Sequence, residues 1–248
     1  MSPEGQEILQ NLQIVAAERA RRRADGPLDA RVEAVKAYQH ARFERTYADL
    51  LASPRYARPA RFFLEDLYGP YDFSARDDQF GRVVPGLVRL FPHEVVETVV
   101  ALSQLHALSE TLDTRMAVAL EPGAGVDAAG YVRCWQRACT AAERERQIAL
   151  MLAVGQALDR YTRNPLLRHS LRMMRGPARA VGLGALQSFL ETGFDTFKGM
   201  RGAADFLATI ASRERALAAR LFDPRSIEWA VLPTDERVAA SSALGQLP

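Results

Sequence analysis

Residues 91–120, FPHEVVETVVALSQLHALSETLDTRMAVAL, carry a single stripe of positions separated by steps of four and three. The members of the stripe are Val95, Val99, Leu102, His106, Ser109, Asp113 and Met116. These steps follow the 3.6-residue turn of an α-helix, and proline is tolerated in the first turn of a helix. The stretch therefore predicts a long helix that starts at Pro92 and ends near Leu120.

The same helical period recurs through nearly the whole sequence, whereas alternation with period two is almost absent. This pattern predicts an all-α protein, a multi-helix bundle of about seven or eight helices. Residues 1–52, broken at Gly26-Pro27, are expected to form an N-terminal helical hairpin. Residues 53–222 would be the main helical domain, and residues 223–248, rich in Ser, Ala, Gly and Pro, a loosely ordered tail.

Proline and glycine set the predicted boundaries of the individual helices. The second helix of the hairpin is expected over about 29–52, and an unbroken pattern predicts one helix over about 127–163. Pro85 is expected to interrupt the region before residue 91, because proline disrupts a helix interior. For the same reason Gly176-Pro177 is expected to end one helix and start the next.

The composition is that of an ordinary globular protein of 248 residues, with 48% hydrophobic residues, 25% charged residues and a net charge of +2. It excludes a disordered chain, a collagen and a wholly basic nucleic-acid-binding protein as global descriptions. Lys36 and Lys198 are the only lysines, so that 30 of the 32 basic residues are arginine. With abundant alanine, this is typical of a high-GC bacterial coding bias, and arginine abundance alone is weak evidence for anion binding.

The sequence predicts no export signal and no membrane span. Acidic residues come first at the N-terminus, and the longest clean apolar run, Ile148 to Gly155, is much shorter than the roughly 20 residues that a span needs. Cys134 and Cys139 lie about 140° apart around a helix, so they should not pair with each other. We expect a cytoplasmic protein in which both thiols are small core residues.

A sequence motif at residues 62–68, FFLEDLY, resembles the string that names the bacterial FFLEELY-motif proteins, an uncharacterised family. The resemblance extends through residues 72–77 (DFSARD), 107–110 (ALSE) and 179–187 (RAVGLGALQ), and covers about residues 45–222. The chain departs from the family string at Asp66, where the family has Glu. The resemblance implies a single helical unit and brings no catalytic residues with it.

The motif itself has a structural interpretation and a chemical one. Phe62 and Phe63 would anchor a helix in the core, and Tyr68 precedes Gly69, which is placed as the left-handed residue that ends it. Alternatively, the adjacent carboxyls of Glu65 and Asp66 could serve as a general acid and base or bind a metal. The structural interpretation is favoured, since nearby acids also suit the start of the next helix.

The arginine stretch, residues 160–179, is the sharpest charge asymmetry of the chain, because no acidic residue occurs between Arg160 and Leu190. Its candidate ligand-binding residues are Arg168, Arg172, Arg175 and Arg179, spaced by four, three and four. Pairing with the acidic residues 65–78 is the favoured interpretation. A phosphate- or carboxylate-bearing ligand, bound at a helix that starts at Pro177, is the next. Nucleic acid and an idle solvated face rank lower.

Two glycines, Gly182 and Gly184, follow the arginine stretch and complete the candidate ligand site. The next helix carries an apolar stripe from Leu183 to Phe197. Gly184, Ser188 and Thr192 form a ridge of small residues along which another helix could approach closely. Core packing is favoured for this helix, although a flat cofactor or an acyl chain could use the same groove.

His106, Glu110 and Asp113 form a candidate polar core cluster on the long helix of residues 92–120. A histidine and carboxylates on an apolar face could form a metal or acid–base site. A hydrogen-bonded packing role is more common for such a histidine and is favoured here.

Familiar catalytic and cofactor motifs are absent from the sequence, including phosphate loops, dinucleotide-binding glycines, the nucleophile elbow and His-Glu-x-x-His. No catalytic residue, metal or cofactor is predicted, and the class is open with a lean towards a non-enzyme. The leading hypothesis is a helical interaction or regulatory protein that binds a protein partner or itself. The alternative is a helical binding protein or enzyme that holds an anionic or lipophilic small molecule near residues 160–179.

Overall fold

The structure of the protein, a computed structural model, describes residues 2–67, 73–121, 125–232, 236, 244 and 247–248. These residues form twelve α-helices and one π-helix, without a strand. The α-helices are α1 (Pro3–Arg23), α2 (Gly26–Thr46), α3 (Ala48–Ala52), α4 (Ala57–Arg61), α5 (Ser74–Leu90), α6 (His93–Ala119), α7 (Ala128–Ala138), α8 (Ala141–Thr162), α9 (Pro165–Ala180), α10 (Gly184–Met200), α11 (Ala204–Leu221) and α12 (Ser226–Ala230), and the π-helix is Phe62–Leu67.

The long helix predicted from residues 92–120 is α6, and it lies at the centre of the bundle. It packs against α1, α2, α7 and α8, and more lightly against α5. Buried residues occur on more than one of its faces, as Ala107, Leu112 and Ala117 show. A helix that is covered nearly all round belongs to the interior of a large bundle. The all-α prediction is therefore confirmed, with α6 as the element on which the others assemble.

The number of helices is larger than the predicted seven or eight, because the chain turns where neither proline nor glycine marks a break. The expected single helix over 127–163 is two helices, α7 and α8, separated at Cys139 and Thr140. Thr140 and Glu143 form a reciprocal capping box that starts α8. The expected helix over 29–52 likewise breaks at Tyr47, whose buried ring separates α2 from α3.

Two prolines that were expected to break helices lie inside them instead. Pro85 is within α5 and Pro177 is within the last turns of α9. A proline in a helix removes one hydrogen bond to the carbonyl four residues earlier. For Pro177 that carbonyl belongs to Met173, which is exposed, so water can replace the lost bond. The chain reverses only at Gly182, which has a φ of 75° that favours glycine.

The described residues after α12 contact the rest of the bundle. Leu244 and Leu247 are buried in the same apolar cluster as residues of α2, α6 and α7. The Tyr38 hydroxyl donates to the Pro248 carbonyl at 3.4 Å, and Arg45 donates to the Leu247 carbonyl at 3.0 Å. Both cysteines are buried and free, as the sequence predicts. Among the described helices, none combines the length and the apolar character needed to cross a membrane.

Candidate functional site

A cluster of buried and partly buried charges lies on α6 where it meets α1, α2 and α5. It comprises the predicted residues of α6 and their partners, and we call it the charged cluster: Arg19, Arg22, Lys36, Asp77, His106, Glu110 and Asp113. At its centre Arg22 donates from Nη1 to Glu110 Oε2 at 2.5 Å and from Nη2 to the Glu110 carbonyl at 2.6 Å. Lys36 Nζ donates to the other oxygen of Glu110 at 2.9 Å. The α1–α2 hairpin is thus fastened to α6 by charge as well as by apolar contacts.

The pKa values of the two carboxyls on this part of α6 are shifted in opposite directions. Burial acts to raise the pKa of Glu110, but Lys36 and Arg22 outweigh it and lower that pKa to about 2. Burial also raises the pKa of Asp113, and here it prevails, because Lys36 is 3.9 Å away and the nearer contact is the Gln39 amide at 3.2 Å. The neighbouring cations therefore outweigh burial at Glu110, whereas burial outweighs them at Asp113.

His106 forms the other end of the charged cluster through Asp77 of α5. His106 Nε2 is 2.8 Å from Asp77 Oδ2, and Arg19 Nη1 is also 2.8 Å from that oxygen. Burial acts to raise the pKa of Asp77, but His106, Arg19 and Arg76 together hold that pKa below its ordinary value. Asp77 is thus an anion that orients the His106 ring from one side.

An apolar cavity of about 430 Å³, the outer cavity, lies beyond His106 between α5, α6, α9 and α10. Its wall is mostly apolar and reaches inward to Ser103 and Leu105, which are buried, so it penetrates the bundle. α9 contributes Leu171 and Met174 to the wall. The volume is within the range of about 300–1,000 Å³ that is typical of small-molecule sites.

Polar groups at the outer cavity belong mainly to its inner wall and to α10. Asp77, His106 and Ser109 line it on the side of the charged cluster. On the side of α10, the Gln187 amide donates to the Leu171 carbonyl at 2.6 Å and so joins α10 to α9. Arg76 lies over the Phe189 ring, 4.5 Å from its centre. The cavity therefore has an apolar body with a few polar groups at fixed positions.

A second cavity of about 100 Å³, the inner cavity, lies on the other side of His106 and Ser109, which line both cavities. Its wall comes from α2, α6, α7, α8 and α11, and its polar residues include Lys36, Arg42 and Arg144. Arg144 is only 4% exposed. The inner cavity is thus smaller than the outer cavity, and its wall carries charges of both signs, since Glu110, Asp113 and Glu214 also line it.

One family model matches this chain over residues 18–227, and it describes a domain of unknown function, DUF8198. The chain belongs to this family. No curated protein and no solved structure matches the chain. The DUF8198 region contains the whole charged cluster, every residue that lines the inner cavity, and all but Leu12 of the outer cavity.

The arginine stretch has partners different from those predicted. Arg168 is 2.9 Å from Asp195, and Arg175 is 2.5 Å from Glu191, so these ion pairs join α9 to α10. Among the described residues, no ion pair links the stretch to the acidic residues 65–78. Arg172 and Arg179 are exposed.

The predicted anion site at a helix start is wrong in its geometry, because α9 continues through Pro177 and has no free N–H groups there. Gly182 and Gly184 form the turn into α10. The predicted ligand-binding role of the arginines and of these two glycines stays a prediction.

The motif of residues 62–68 begins with buried aromatic side chains. Phe62 and Phe63 occupy the π-helix, and the Phe62 ring lies where a side chain at Gly193 would be, 3.0 Å from an added Cβ. Glu65 is exposed. The side chain of Asp66, and Tyr68 and Gly69 entirely, lie outside the described residues, and so does the predicted helix end.

Sequence reasoning passed over the cations that the bundle buries, Arg22, Arg42 and Arg144. Each one continues an apolar stripe at a spacing of seven residues, which is two helical turns. Arg22 follows Ile8 and Val15 in this way, and Arg42 follows Leu28 and Val35. Arg144 stands seven residues before Met151. An arginine in register with a buried stripe was the signal that could have found them.

The described residues do not form a group of side chains that could bind a metal ion. In the ranges that the structure describes, no three side chains of His, Cys, Asp or Glu are grouped closely enough to hold a metal ion. The chemistry available is hydrogen bonding and charge at the wall of two cavities.

Proposed function

We propose that this member of the DUF8198 family is a small-molecule binding protein, and that its ligand is a lipophilic molecule held in the outer cavity. The observation that carries the proposal is a cavity of about 430 Å³ whose mostly apolar wall reaches buried residues of α6. Apolar surface in contact with water is unfavourable, and a large concave apolar surface commonly marks a binding site. A lipophilic ligand would remove this surface from water.

The shape of the cavity supports a small molecule as its occupant. The wall includes Ser103 and Leu105 deep in the bundle, a depth that a helix docked on the surface would not reach. His106 and Ser109 provide hydrogen-bonding groups at the inner wall. This combination suits a molecule with an apolar body and one polar group.

Helix α9 gives the site its outer wall. Leu171, Met174 and Ala178 face the outer cavity, while Arg168 and Arg175 pair with α10. Leu90 and Phe91, both exposed, also line the cavity and support an entrance at this edge. The proposal agrees with the alternative sequence hypothesis of a lipophilic ligand near residues 160–179.

Binding of the uncharged fluorophore N-phenyl-1-naphthylamine tests the proposal. We expect the wild-type protein to enhance its fluorescence saturably, because the dye would enter an apolar site. Leu87→Trp places a large ring in the cavity wall and should weaken binding at least 10-fold. The matched control is Leu166→Trp, since Leu166 is 72% exposed and does not line the cavity.

Native mass spectrometry of gently purified protein complements the dye experiment and identifies a retained ligand directly. A discrete mass excess that is lost in Leu87→Trp supports the proposal. Absence of saturable dye binding, or equal binding by wild type and Leu87→Trp, overturns it.

An interaction or regulatory role, with a protein partner or self-association, stays a prediction. It depends on the ridge of Gly184, Ser188 and Thr192, of which Ser188 and Thr192 are exposed. Sedimentation velocity over a hundredfold range of concentration tests self-association. A constant monomeric mass would count against that part of the hypothesis.

Assignment to the bacterial FFLEELY-motif proteins, and a cytoplasmic location, are proposals as well. The first depends on the string at residues 62–68, whose Phe62 and Phe63 are buried in the π-helix. The free state of Cys134 and Cys139 is compatible with the second.

A further inference from the structure

The inner cavity is lined by four residues that each bury a hydrogen-bond donor without a partner. The donor atoms are Arg42 Nε, Tyr131 Oη, Trp135 Nε1 and Arg144 Nε. Tyr131 and Arg144 are 1% and 4% exposed. Buried donors are nearly always paired, so four unpaired donors around one small cavity call for an acceptor within it.

Arg144 has the least usual surroundings of the four. Its guanidinium lies 3.8 Å from the centre of the Trp135 ring, donates to the Gln147 amide oxygen at 2.8 Å, and contacts the sulfur atoms of Met116 and Cys139 at 3.0 Å. None of these partners carries a full negative charge, since burial raises the pKa of the Cys139 thiol. Among the described residues, no carboxylate lies within 4 Å of this guanidinium.

The other buried arginines show what Arg144 lacks. Arg22 is bound by Glu110 at 2.5 Å, and Arg42 is bound by Glu214 at 2.5 Å. A buried charge without a counter-charge is strongly destabilising, and proteins normally pair it. Glu110, Asp113 and Glu214 also line this cavity, but Glu110 is bound by Arg22 and Lys36 and Glu214 is bound by Arg42. Asp113 has its nearest cation in Lys36, at 3.9 Å, and does not pair with Arg144.

We infer that the inner cavity binds a small oxyanion, with Arg144, Tyr131 and Trp135 as its donors. The oxygens of a phosphate or a short carboxylate accept several hydrogen bonds at once, and arginine binds such groups with two parallel N–H donors. The volume of about 100 Å³ is that of a small polyatomic ion and leaves no room for a large ligand. The site is distinct from the outer cavity of the proposed function and does not depend on it.

Water is the competing occupant of the inner cavity. A void of this size holds several water molecules, and water can accept from each unpaired donor. Water would leave the charge of Arg144 without a counter-charge, and it would give no dependence of stability on an added oxyanion. The two occupants therefore predict different results in a titration.

Thermal unfolding in increasing inorganic phosphate, with chloride at matched ionic strength as the reference, tests the inference. A ligand that binds only the folded state raises Tm with its concentration. Phosphate also stabilises proteins unspecifically, so the decisive quantity is the difference between variants. Arg144→Met keeps the packing on Trp135 and removes the charge, and Arg146→Met, two residues along α8 and exposed, is its matched control.

We expect the phosphate-dependent rise of Tm to be equal in wild type and Arg146→Met, with apparent affinity at least 10-fold weaker in Arg144→Met. Tyr131→Phe removes a single hydroxyl and should weaken the affinity about 5-fold. In chloride alone, Arg144→Met should be at least as stable as wild type, because it removes an unpaired buried charge.

An equal phosphate response in wild type, Arg144→Met and Tyr131→Phe overturns the inference. So does a response of wild type no larger than that to chloride. Should Arg144→Met fail to fold, Tyr131→Phe and isothermal titration of wild type with phosphate decide the matter alone, because a Tyr-to-Phe change preserves the volume.

Discussion

The charged cluster around α6 and the arginine stretch of α9 use the same residue type in opposite ways. Arg22 is nearly completely buried and binds Glu110 and Thr114 with four hydrogen bonds. Arg175 of α9 is bound as closely by Glu191, yet it is exposed. The difference shows that the register of an arginine against an apolar stripe, and not the local density of arginines, determines whether it organises the fold.

The largest expected difference between the two regions is in stability. Arg22→Met leaves Glu110 buried with Lys36 at 2.9 Å and Arg19 at 4.0 Å as its remaining cations. Removing one partner of a buried pair costs about 3–5 kcal/mol. Arg172→Met, on the exposed face of α9, should change the free energy of unfolding by less than about 0.5 kcal/mol. Urea denaturation of both variants measures the two changes in the free energy of unfolding. Similar values would contradict the view that Arg22 stabilises the fold far more than Arg172 does.

Acid should weaken the charged cluster through protonation of Glu110. The pKa of Glu110 falls from 4.5 in the unfolded chain to about 2 in the fold, so its contribution is complete above pH 4.5 and is lost as the pH falls towards 2. The shift corresponds to about 3 kcal/mol. Asp113 acts in the opposite direction, since its pKa is raised and its contribution is lost as the pH rises.

The contribution of Glu110 is isolated by comparing the pH dependence of wild type with that of Glu110→Gln. The stability of wild type should fall more steeply between pH 4.5 and 2 than that of the variant. Parallel curves would mean that the Arg22–Glu110–Lys36 contacts do not control the acid response.

The effect on stability of an added methyl group should differ between the densely packed core and helix α5, which lines the outer cavity. An alanine Cβ at Gly155 of α8 would lie 2.6 Å from Leu207, whereas at Gly86 of α5 it meets nothing within 4 Å. Both substitutions gain the same helix propensity, so the difference between them isolates the clash. We expect Gly155→Ala to be less stable than Gly86→Ala by about 1–3 kcal/mol, as measured by thermal and urea unfolding.

The smallest expected effect belongs to the ion pairs of α9. Arg168 and Asp195 are 2.9 Å apart but both remain about one-third or more exposed. A double-mutant cycle on this pair should give a coupling below about 1 kcal/mol that disappears in 1 M salt. A coupling of several kcal/mol would show that this ion pair stabilises the protein as strongly as the buried pairs of the charged cluster do.

Much of the fold follows from the sequence, because the helical period reports directly on burial. The period of residues 92–120 predicts α6, and the predicted break at Gly26-Pro27 coincides with the start of α2. The errors have a common cause: proline and glycine alone do not decide where a helix ends. Pro177 is tolerated because the carbonyl that loses its helical hydrogen bond belongs to Met173, which is exposed. The break at Cys139 occurs because Thr140 caps the start of α8.

The candidate sites were less accessible to sequence reasoning than the fold. His106, Glu110 and Asp113 could be placed on one helix from their spacing, but their partners come from remote parts of the chain. Arg22 is 88 residues from Glu110, and Lys36 is 74 residues from it. Residue spacing within one helix cannot predict contacts between residues so far apart in the sequence. The two cavities, in turn, depend on how five or more helices pack.

The long separation between α1 and α6 has a consequence for synthesis of the protein. At about 5–20 residues per second, a ribosome needs roughly 5–20 s to produce the residues that separate Arg22 from Glu110. Throughout that interval the apolar faces of α1 and α2, including Ile8 and Val35, have no central helix to cover them. The nascent hairpin is therefore the part of the chain that a chaperone would have to protect.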